Sequence, residues 1–316
     1  MNFYASVTVL SFATFLAVAS AGEGSPKSMK KESKIKAEQR EITISHEFTS
    51  ENSFVAGANA KVGNQKFGNV TEINNHVNYV LSPQLKDNLL LRVGVDYERY
   101  SFGLPSTEKR GGFYLPSPNT LQSTSMIIGA DYTINDQWFM RVEASPGVYN
   151  DSEDLSGNDV NVPFIIGGSY IVDKDLQWFF GVSVDLWRDL PVLPGAGVRW
   201  KFSDQWTLFF VLPKPQLQYE LNERLTLYVG ANLKGGSYRT SESFGSEHGR
   251  SRLNNAIVNY SEVRLGAGAT WKALSFLDVN IEGGYIPTRT FDYARANTRV
   301  KLEAAPYVEL SATAKF

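Results

Sequence analysis

The chain has 316 residues, no cysteine and nearly balanced charge, with 31 Lys and Arg against 33 Asp and Glu. The absence of cysteine excludes disulfides, thiolate metal sites, iron–sulfur clusters and a cysteine nucleophile. The net charge of −2 gives no basic excess that would favour nucleic acid, so we expect no nucleic-acid partner.

The amino terminus has the pattern of a secretory signal peptide. Residues 7–18 are almost wholly apolar, and Ala19-Ser20-Ala21 supplies the small residues that a signal peptidase accepts. We expect cleavage after Ala21, although no Lys or Arg precedes the apolar run. Residues 22–40 are rich in Lys and Glu and hold few groups able to form a core, which predicts a polar periplasmic tail or linker.

Residues 41–316 alternate apolar with polar side chains, which is the two-residue period of a β-strand. In residues 89–100, for example, Leu91, Val93 and Val95 fall on one face, whereas Arg92 and Asp96 fall on the other. The pattern recurs along the chain and predicts one all-β domain. A soluble β-sandwich would alternate in the same way, so alternation alone does not choose between architectures.

The connections between the predicted strands are alternately short and long. Tight polar turns lie near residues 135–137, 173–175, 203–205 and 222–224. Long polar connections rich in Gly, Pro, Ser and Asn span residues 101–120, 149–161, 234–255 and 287–298. This alternation predicts a single antiparallel transmembrane β-barrel with short periplasmic turns and long extracellular loops.

Aromatic residues flank the short turns, as expected for a girdle at a membrane interface, where each ring has an apolar body and a polar edge. The alternative is that tryptophans beside turns cap a soluble core. The predicted girdle comprises Tyr132, Trp138, Tyr170, Trp178, Trp200, Trp206, Tyr219 and Trp271.

The last predicted strand is amphipathic and ends in Phe316. A terminal aromatic residue on such a strand resembles the signal that the outer-membrane barrel assembly machinery reads, and the resemblance implies insertion into the outer membrane by that machinery. From Phe54 onward the pattern predicts about fourteen strands, with about twelve or sixteen as alternatives; an even number brings both chain ends to the periplasm. Residues 41–48 could form an additional strand, and residues 212–215 either a short loop or a kink.

Three segments of the chain are similar to a bacterial outer-membrane barrel family known only as a domain of unknown function. The segments are LRVGVDYERY at 91–100, LPGAGVRW at 193–200 and LPKPQLQY at 212–219. The resemblance covers roughly residues 41–316. It implies a barrel, and it implies no reaction and no ligand.

Catalytic and metal-binding residues are sparse. The three histidines are His46, His76 and His248; His76 follows Asn74-Asn75 in a predicted strand, but no nucleophile motif such as G-x-S-x-G accompanies it. Residues 150–154 are rich in oxygen ligands but lack EF-hand spacing. We therefore expect no enzymatic activity, no cofactor and no metal site.

Strand parity places many charged side chains on the face opposite the aliphatic one. Each such charge would cost a few kcal/mol near the middle of a lipid-facing wall, so this face is predicted to line the lumen. The predicted lumen residues are Arg92, Asp96, Glu98, Arg141, Glu143, Asp185, Arg199, Lys201, Glu220, Glu262, Arg264, Asp278 and Glu282.

A charged lumen allows two functions, and we expect the first of them, because a barrel of this size leaves room for water unless loops fold inward. If water fills the lumen, the protein is a passive channel or transporter for small polar solutes. If the charges pair across a narrow interior, the barrel is a closed scaffold whose outer loops bind a partner or surface polymer. An outer-membrane lipid hydrolase is a third alternative. Residues 101–120 and 234–255 are candidate plugs, and the expected partners are outer-membrane lipid and the assembly machinery.

Overall fold

The computed structural model describes residues 43–105 and 114–316, and the predicted signal peptide and tail lie outside these residues. The described chain forms one antiparallel sheet, apart from short helical turns such as α1 (Phe244–Glu247). Its strands are β1 (Ile44–Val62), β2 (Gln65–Lys86), β3 (Leu89–Gly103), β4 (Thr120–Thr133), β5 (Trp138–Ala144), β6 (Gly147–Asn150), β7 (Val160–Asn161), β8 (Phe164–Ile171), β9 (Leu176–Val184), β10 (Val192–Lys201), β11 (Trp206–Phe210), β12 (Gln216–Asn222), β13 (Leu225–Arg239), β14 (Ile257–Leu274), β15 (Leu277–Tyr293), β16 (Thr298–Leu302) and β17 (Ala305–Lys315).

The sheet closes because β1 pairs with β2 on one side and with β17 on the other. Three short strands extend their neighbours without a change of register: β6 continues β5, β7 leads into β8, and β16 leads into β17. Pro146 and Pro163 stand at two of these interruptions, where a residue without an N–H cannot join the ladder. Over the described residues the result is the predicted closed barrel of fourteen strands.

Both described chain ends and the short turns lie at one end of the barrel, which we call the turn rim; the opposite end is the loop rim. At the turn rim Phe316 stacks on His46 with ring centroids 5.2 Å apart. Residues 41–48 are not a separate strand, because the chain from Ile44 already belongs to β1. The connection between β11 and β12 is a short loop, the first of the two alternatives for residues 212–215.

At the loop rim two connections are shorter than the sequence predicts. β13 runs to Arg239 and β15 runs to Tyr293, which leaves residues 240–256 and 294–297 as the loops. These strand ends contain Gly, Ser and Pro, a composition that strands and loops share, so the predicted loops extend too far into the strands. At Pro287 the strand bulges, so that Pro287 and Thr288 are both exposed while Ile286 and Arg289 are both buried.

Toward the turn rim the outer surface of the barrel is apolar and its inner surface is polar. Val95 is 57% exposed, whereas Arg92, on the opposite face of β3, is only 5% exposed. Aliphatic and aromatic side chains are exposed in the same way on the other strands. No helix in the described part of the chain is both long and apolar enough to span a membrane.

The wall is not equally tall all round. Strands β8 to β12 end early, whereas β13 continues beyond them, and its last residue, Arg239, pairs with Asn150 of β6. In the described residues the loop rim is therefore closed by a smaller ring of nine strands, β1–β4, β6 and β13–β16. A strand that leaves its neighbours in this way divides the barrel into a narrow upper part and a wide lower part.

Because the outward face is apolar, a charged side chain placed on it should lower the stability of the barrel, and most strongly near the middle of the bilayer. We expect Val95→Arg to lower the free energy of unfolding in lipid bilayers by about 2–4 kcal/mol, because the guanidinium would enter the apolar belt. Gln137→Arg, in an exposed turn, should change it by no more than about 0.5 kcal/mol. Urea titration of both variants in liposomes checks this; equal effects would place the aliphatic face in water.

Candidate functional site

The interior of the nine-stranded ring is filled by aromatic side chains. Tyr100 and Phe102 of β3 meet Tyr260 of β14 and Phe291 of β15 across the ring, with Tyr100–Tyr260 and Phe102–Phe291 centroids each 4.9 Å apart. Tyr238 of β13 approaches Tyr100 edge-on at 6.5 Å. All five rings are buried, which leaves no straight passage through this part of the barrel in the described residues.

Two of the long connections pack onto this aromatic cluster. Leu115 comes from the first predicted plug, and Phe244 and Leu253 come from the second; all three are buried. The hydroxyl of Tyr293 donates a hydrogen bond to the carbonyl of Pro116 at 3.2 Å. The described parts of both segments thus close the loop rim, while residues 106–113 lie outside the description.

Immediately below lies a fully buried charged cluster. Arg289 donates to Glu72 across the barrel at 3.1 Å, and Arg264 lies 2.7 Å from Glu262 and 3.6 Å from Glu72. The Tyr260 hydroxyl also donates to Glu72. Charges taken out of water need such partners, because an unpaired buried charge is strongly destabilising. The cluster joins β2 to β14 and β15 and narrows the barrel here.

A second charged cluster extends the first one downward. Lys234 of β13 donates to Glu51 of β1 at 3.1 Å and to Glu309 of β17 at 2.8 Å. Lys214, from the short loop between β11 and β12, donates to the other oxygen of Glu51 at 2.9 Å. Arg264 donates to Glu309 at 2.8 Å. The low wall at residues 211–215 is therefore tied to the far side of the barrel.

The wide lower part contains a polar cavity of about 470 Å³, which we call the lumen. Nine acidic and five basic side chains line it, together with many hydroxyl and amide groups. Asn232, 3% exposed, lines the lumen with both of its amide atoms unpaired. Groups of this kind can form hydrogen bonds with water inside the cavity.

Seven of the predicted lumen residues line this cavity, namely Arg92, Asp96, Glu98, Glu143, Asp185, Asp278 and Glu282. Glu262 and Arg264 lie instead in the packed cluster above it. Arg141 is buried against Asp131 at 2.6 Å, and Lys201 pairs with Glu220 at 3.1 Å near the turn rim. Arg199 donates to the carbonyl of Lys174 at 3.4 Å, also near the turn rim. None of Arg141, Arg199, Lys201 and Glu220 therefore lines the lumen.

Sequence reasoning missed four basic residues that the structure brings to the interior. Lys214 lies in the predicted loop or kink 212–215, and Lys234 and Arg289 lie in the predicted connections 234–255 and 287–298. The sequence pattern assigned Arg188 to neither face. Only Arg289 had a signal in the sequence, which is Pro287: a bulge there inverts strand parity, and the inversion places Arg289 inward.

His76 lies among carboxylates. Its Nε2 is 2.7 Å from Asp96, and its Nδ1 is 3.9 Å from Glu51. No hydroxyl nucleophile is among the hydrogen-bond partners that the structure gives for His76, so a Ser–His pair is not formed here. No group of acidic or histidine side chains in the described residues is arranged to hold a metal ion.

A second, larger space of about 1180 Å³ lies at the loop rim; we call it the outer cleft. Residues of β1, β13, β14, β15 and β16 line it, together with Arg188 and Asp189 of the loop of residues 185–191. Five basic and two acidic side chains line it. Arg188, Gly236 and Ser237 line both the outer cleft and the lumen, so these residues form the boundary between the two spaces.

Asp185 holds this boundary together. One of its carboxylate oxygens accepts hydrogen bonds from Asn161 at 2.9 Å and from the backbone of Trp187 at 3.0 Å. The other oxygen accepts from Ser237 at 2.8 Å and lies 3.3 Å from Arg188. Burial lowers the pKa of Arg188, while Asp185 opposes that effect. The loop of residues 185–191 is thus fastened to β7 and β13 through one carboxylate.

A family model described as Domain of unknown function (DUF6268) matches residues 35–314. No curated protein matches the chain. The COG4313 outer membrane channel from Pseudomonas putida F1 is similar over 90% of this chain and 100% of that chain, at 8% identity and a TM-score of 0.44. The Ralstonia pickettii toluene transporter TbuX is similar over 86% and 89%, at 9% identity and 0.40. The translocator domain of the Neisseria meningitidis autotransporter NalP is similar over 88% and 90%, at 10% identity and 0.36. Sequence identities and TM-scores this low do not indicate the function of this chain.

The buried charged clusters predict large losses when one partner is removed. Arg289→Ala would leave Glu72 buried with fewer partners, so we expect the free energy of unfolding to fall by about 3–5 kcal/mol. Lys174→Ala, whose side chain is 89% exposed, should change it by less than about 1 kcal/mol. Urea unfolding followed by tryptophan fluorescence measures both; a loss below about 1 kcal/mol for Arg289→Ala would indicate a hydrated cluster.

Proposed function

This chain belongs to the family described as a domain of unknown function (DUF6268), and we propose that it is an outer-membrane barrel that admits small polar solutes through a gated lumen. The family match confirms the resemblance found in the sequence, and no activity comes with it. The proposal therefore rests on the barrel itself.

Support for an outer-membrane location comes from the outer surface. Aliphatic side chains cover it, and predicted girdle residues such as Trp138, Trp178 and Trp200 are exposed beside the short turns. Rings pair at this level, for example Trp206 with Tyr219 at 4.9 Å. Such a band with aromatic edges matches the interface of a bilayer. The signal peptide, the Phe316 assembly signal and a periplasmic turn rim belong to the same proposal.

The single observation that carries the channel proposal is the boundary shared by the lumen and the outer cleft. The straight route is filled by the aromatic cluster, but beside β13 Arg188, Gly236 and Ser237 line both spaces. Gly235 and Gly236 contribute no side chain beyond the backbone at this point. A solute would enter the outer cleft, pass Arg188, cross the polar lumen and leave at the turn rim.

Arg188 is the gate in this scheme. Its guanidinium is held by Asp185 and donates to the Ser183 hydroxyl at 3.1 Å. When the loop of residues 185–191 moves away from β13, this side chain leaves the boundary and the two spaces join. We assign no catalytic role to any residue of the lumen, since the histidine there faces carboxylates.

A closed structural barrel is the second candidate, and the packed aromatic cluster favours it. In that case the loops at the loop rim would bind a partner or surface polymer and no solute would cross. The two candidates differ in whether removal of the Arg188 side chain from the boundary raises conductance through the barrel.

Removing the gate tests the channel. We expect Arg188→Ala to raise the single-channel conductance of the refolded protein in planar bilayers about twofold or more, because the constriction loses its largest side chain. Asp185 retains its other three donors in this variant. Arg224→Ala, in an exposed turn, is the matched control and should conduct like the unmodified protein.

The chain has no cysteine, which allows a second readout. In Asn232→Cys, a thiol reagent that cannot cross membranes should label the lumen from the loop-rim side, and faster when Arg188→Ala is added. Silence of both Arg188→Ala and the unmodified protein in bilayers, together with no labelling, would establish the closed structural barrel instead.

A further inference from the structure

Three lysines stand directly opposite one another on adjacent strands of the outer wall. Lys66 of β2 is paired with Lys61 of β1, and Lys61 is paired on its other side with Lys301 of β16. Their neighbours in sequence, such as Val62 and Leu302, point inward and are buried, so the lysines point outward. We call these three residues the lysine row.

Like charges placed directly opposite on neighbouring strands destabilise a sheet unless an anion lies between them. The carboxylate of Glu303 lies 2.6 Å from Lys61. For Lys301 the structure gives no ion pair among the described residues. The positive charge of Lys301 is therefore not neutralised within the lysine row, and an external anion beside Lys301 would relieve the repulsion.

Hydroxyl groups and a further cation lie beside the lysine row. Lys301 faces Thr290 of β15, and Thr290 faces Ser261 of β14, with 2.8 Å between the two hydroxyl oxygens. Lys61, Lys301, Thr290 and Ser261 all line the outer cleft, where Arg299 adds a further cation that Asp292 partners. Cations beside hydroxyl groups suit phosphate oxygens and sugar hydroxyls together.

The height of the lysine row identifies the source of the anion. On β17 the outward residues Val308 and Leu310 are apolar and exposed, and the apolar series ends at Pro306. Lys301 lies five residues beyond Pro306, which is about 17 Å along the strand and about 13 Å above the belt for a strand tilted by about 40°. Long lysine side chains reach back toward a lipid interface. That is the level of a large lipid headgroup.

We propose that the lysine row binds the phosphate groups of an anionic glycolipid of the outer leaflet, with its sugars in the outer cleft beside Thr290 and Ser261. The proposal rests on the outer-membrane location but not on the gate. Arg188, at the far end of the cleft beside β13, remains available for solute entry.

Binding of purified lipopolysaccharide to the full chain in detergent tests the proposal. We expect Lys61→Gln/Lys301→Gln to weaken binding about tenfold to thirtyfold. The reason is that each lysine near an anionic lipid surface contributes separately to the binding free energy, and the variant removes two of them. The matched control is Lys86→Gln/Lys272→Gln, which removes the same charge from exposed positions at the turn rim. It should bind like the unmodified protein.

Two further probes separate the sources of phosphate. Dephosphorylated lipopolysaccharide should bind the unmodified protein as weakly as intact lipopolysaccharide binds the double variant, and inorganic phosphate should not compete. Equal binding by both double variants, or by both forms of the lipid, would overturn the proposal. Competition by millimolar inorganic phosphate would show a free-anion site and overturn the lipid assignment.

Folding of the variants is checked independently by heat-modifiable migration in detergent. The Lys61→Gln/Lys301→Gln variant should retain the folded band and melt no earlier than the unmodified protein, since repulsion is removed. The conductance test concerns Arg188, which this variant leaves unchanged. A lipid-binding result and a conductance result can therefore fail separately.

Discussion

Closure of the sheet is the constraint on which the rest of the structure depends. In an apolar surrounding every backbone N–H and C=O must be paired within the protein, and a barrel meets this requirement by joining its first strand to its last. Here β1 and β17 pair over the lower half of the wall, and β16 carries the same register to the loop rim. With the backbone satisfied, the alternation of side chains decides which surface is apolar and which holds the charges.

The interior then divides into two parts with different physical character. Above, aromatic rings and fully buried ion pairs join opposite walls, because β13 leaves β12 and crosses to β6. Below, the wall is wider, and acidic, hydroxyl and amide groups line the lumen. Buried ion pairs such as Arg289 with Glu72 contribute little net stability compared with an apolar core, but they fix which walls face each other. The proposed gate, Arg188, lies where the two parts meet, in the loop that Asp185 fastens.

Much of the fold could be predicted from the sequence, because the two-residue period and the tight turns are local signals. Residues such as Arg92, Asp96 and Glu282 were placed inward by parity alone, and they do line the lumen. The height of each strand was not predictable, since a Gly- and Ser-rich strand end resembles a loop. The crossing of β13 to β6 and the inward turn of Lys214 depend on contacts between residues far apart in sequence, which no local pattern reports.

The unequal heights of the strands also decide where the chain can change in length. The loop of residues 240–256 delivers Phe244 and Leu253 into the aromatic cluster, so an insertion there would have to displace packed side chains. The loop of residues 185–191 rises from the low wall and adds no side chain to the aromatic cluster. Asp185 attaches it, together with Arg295, which donates to the carbonyl of Leu186, and Arg239, which lies over the Trp187 ring. Insertions and deletions among relatives are therefore expected to accumulate in residues 185–191, where they would retune the aperture without disturbing the closed ring.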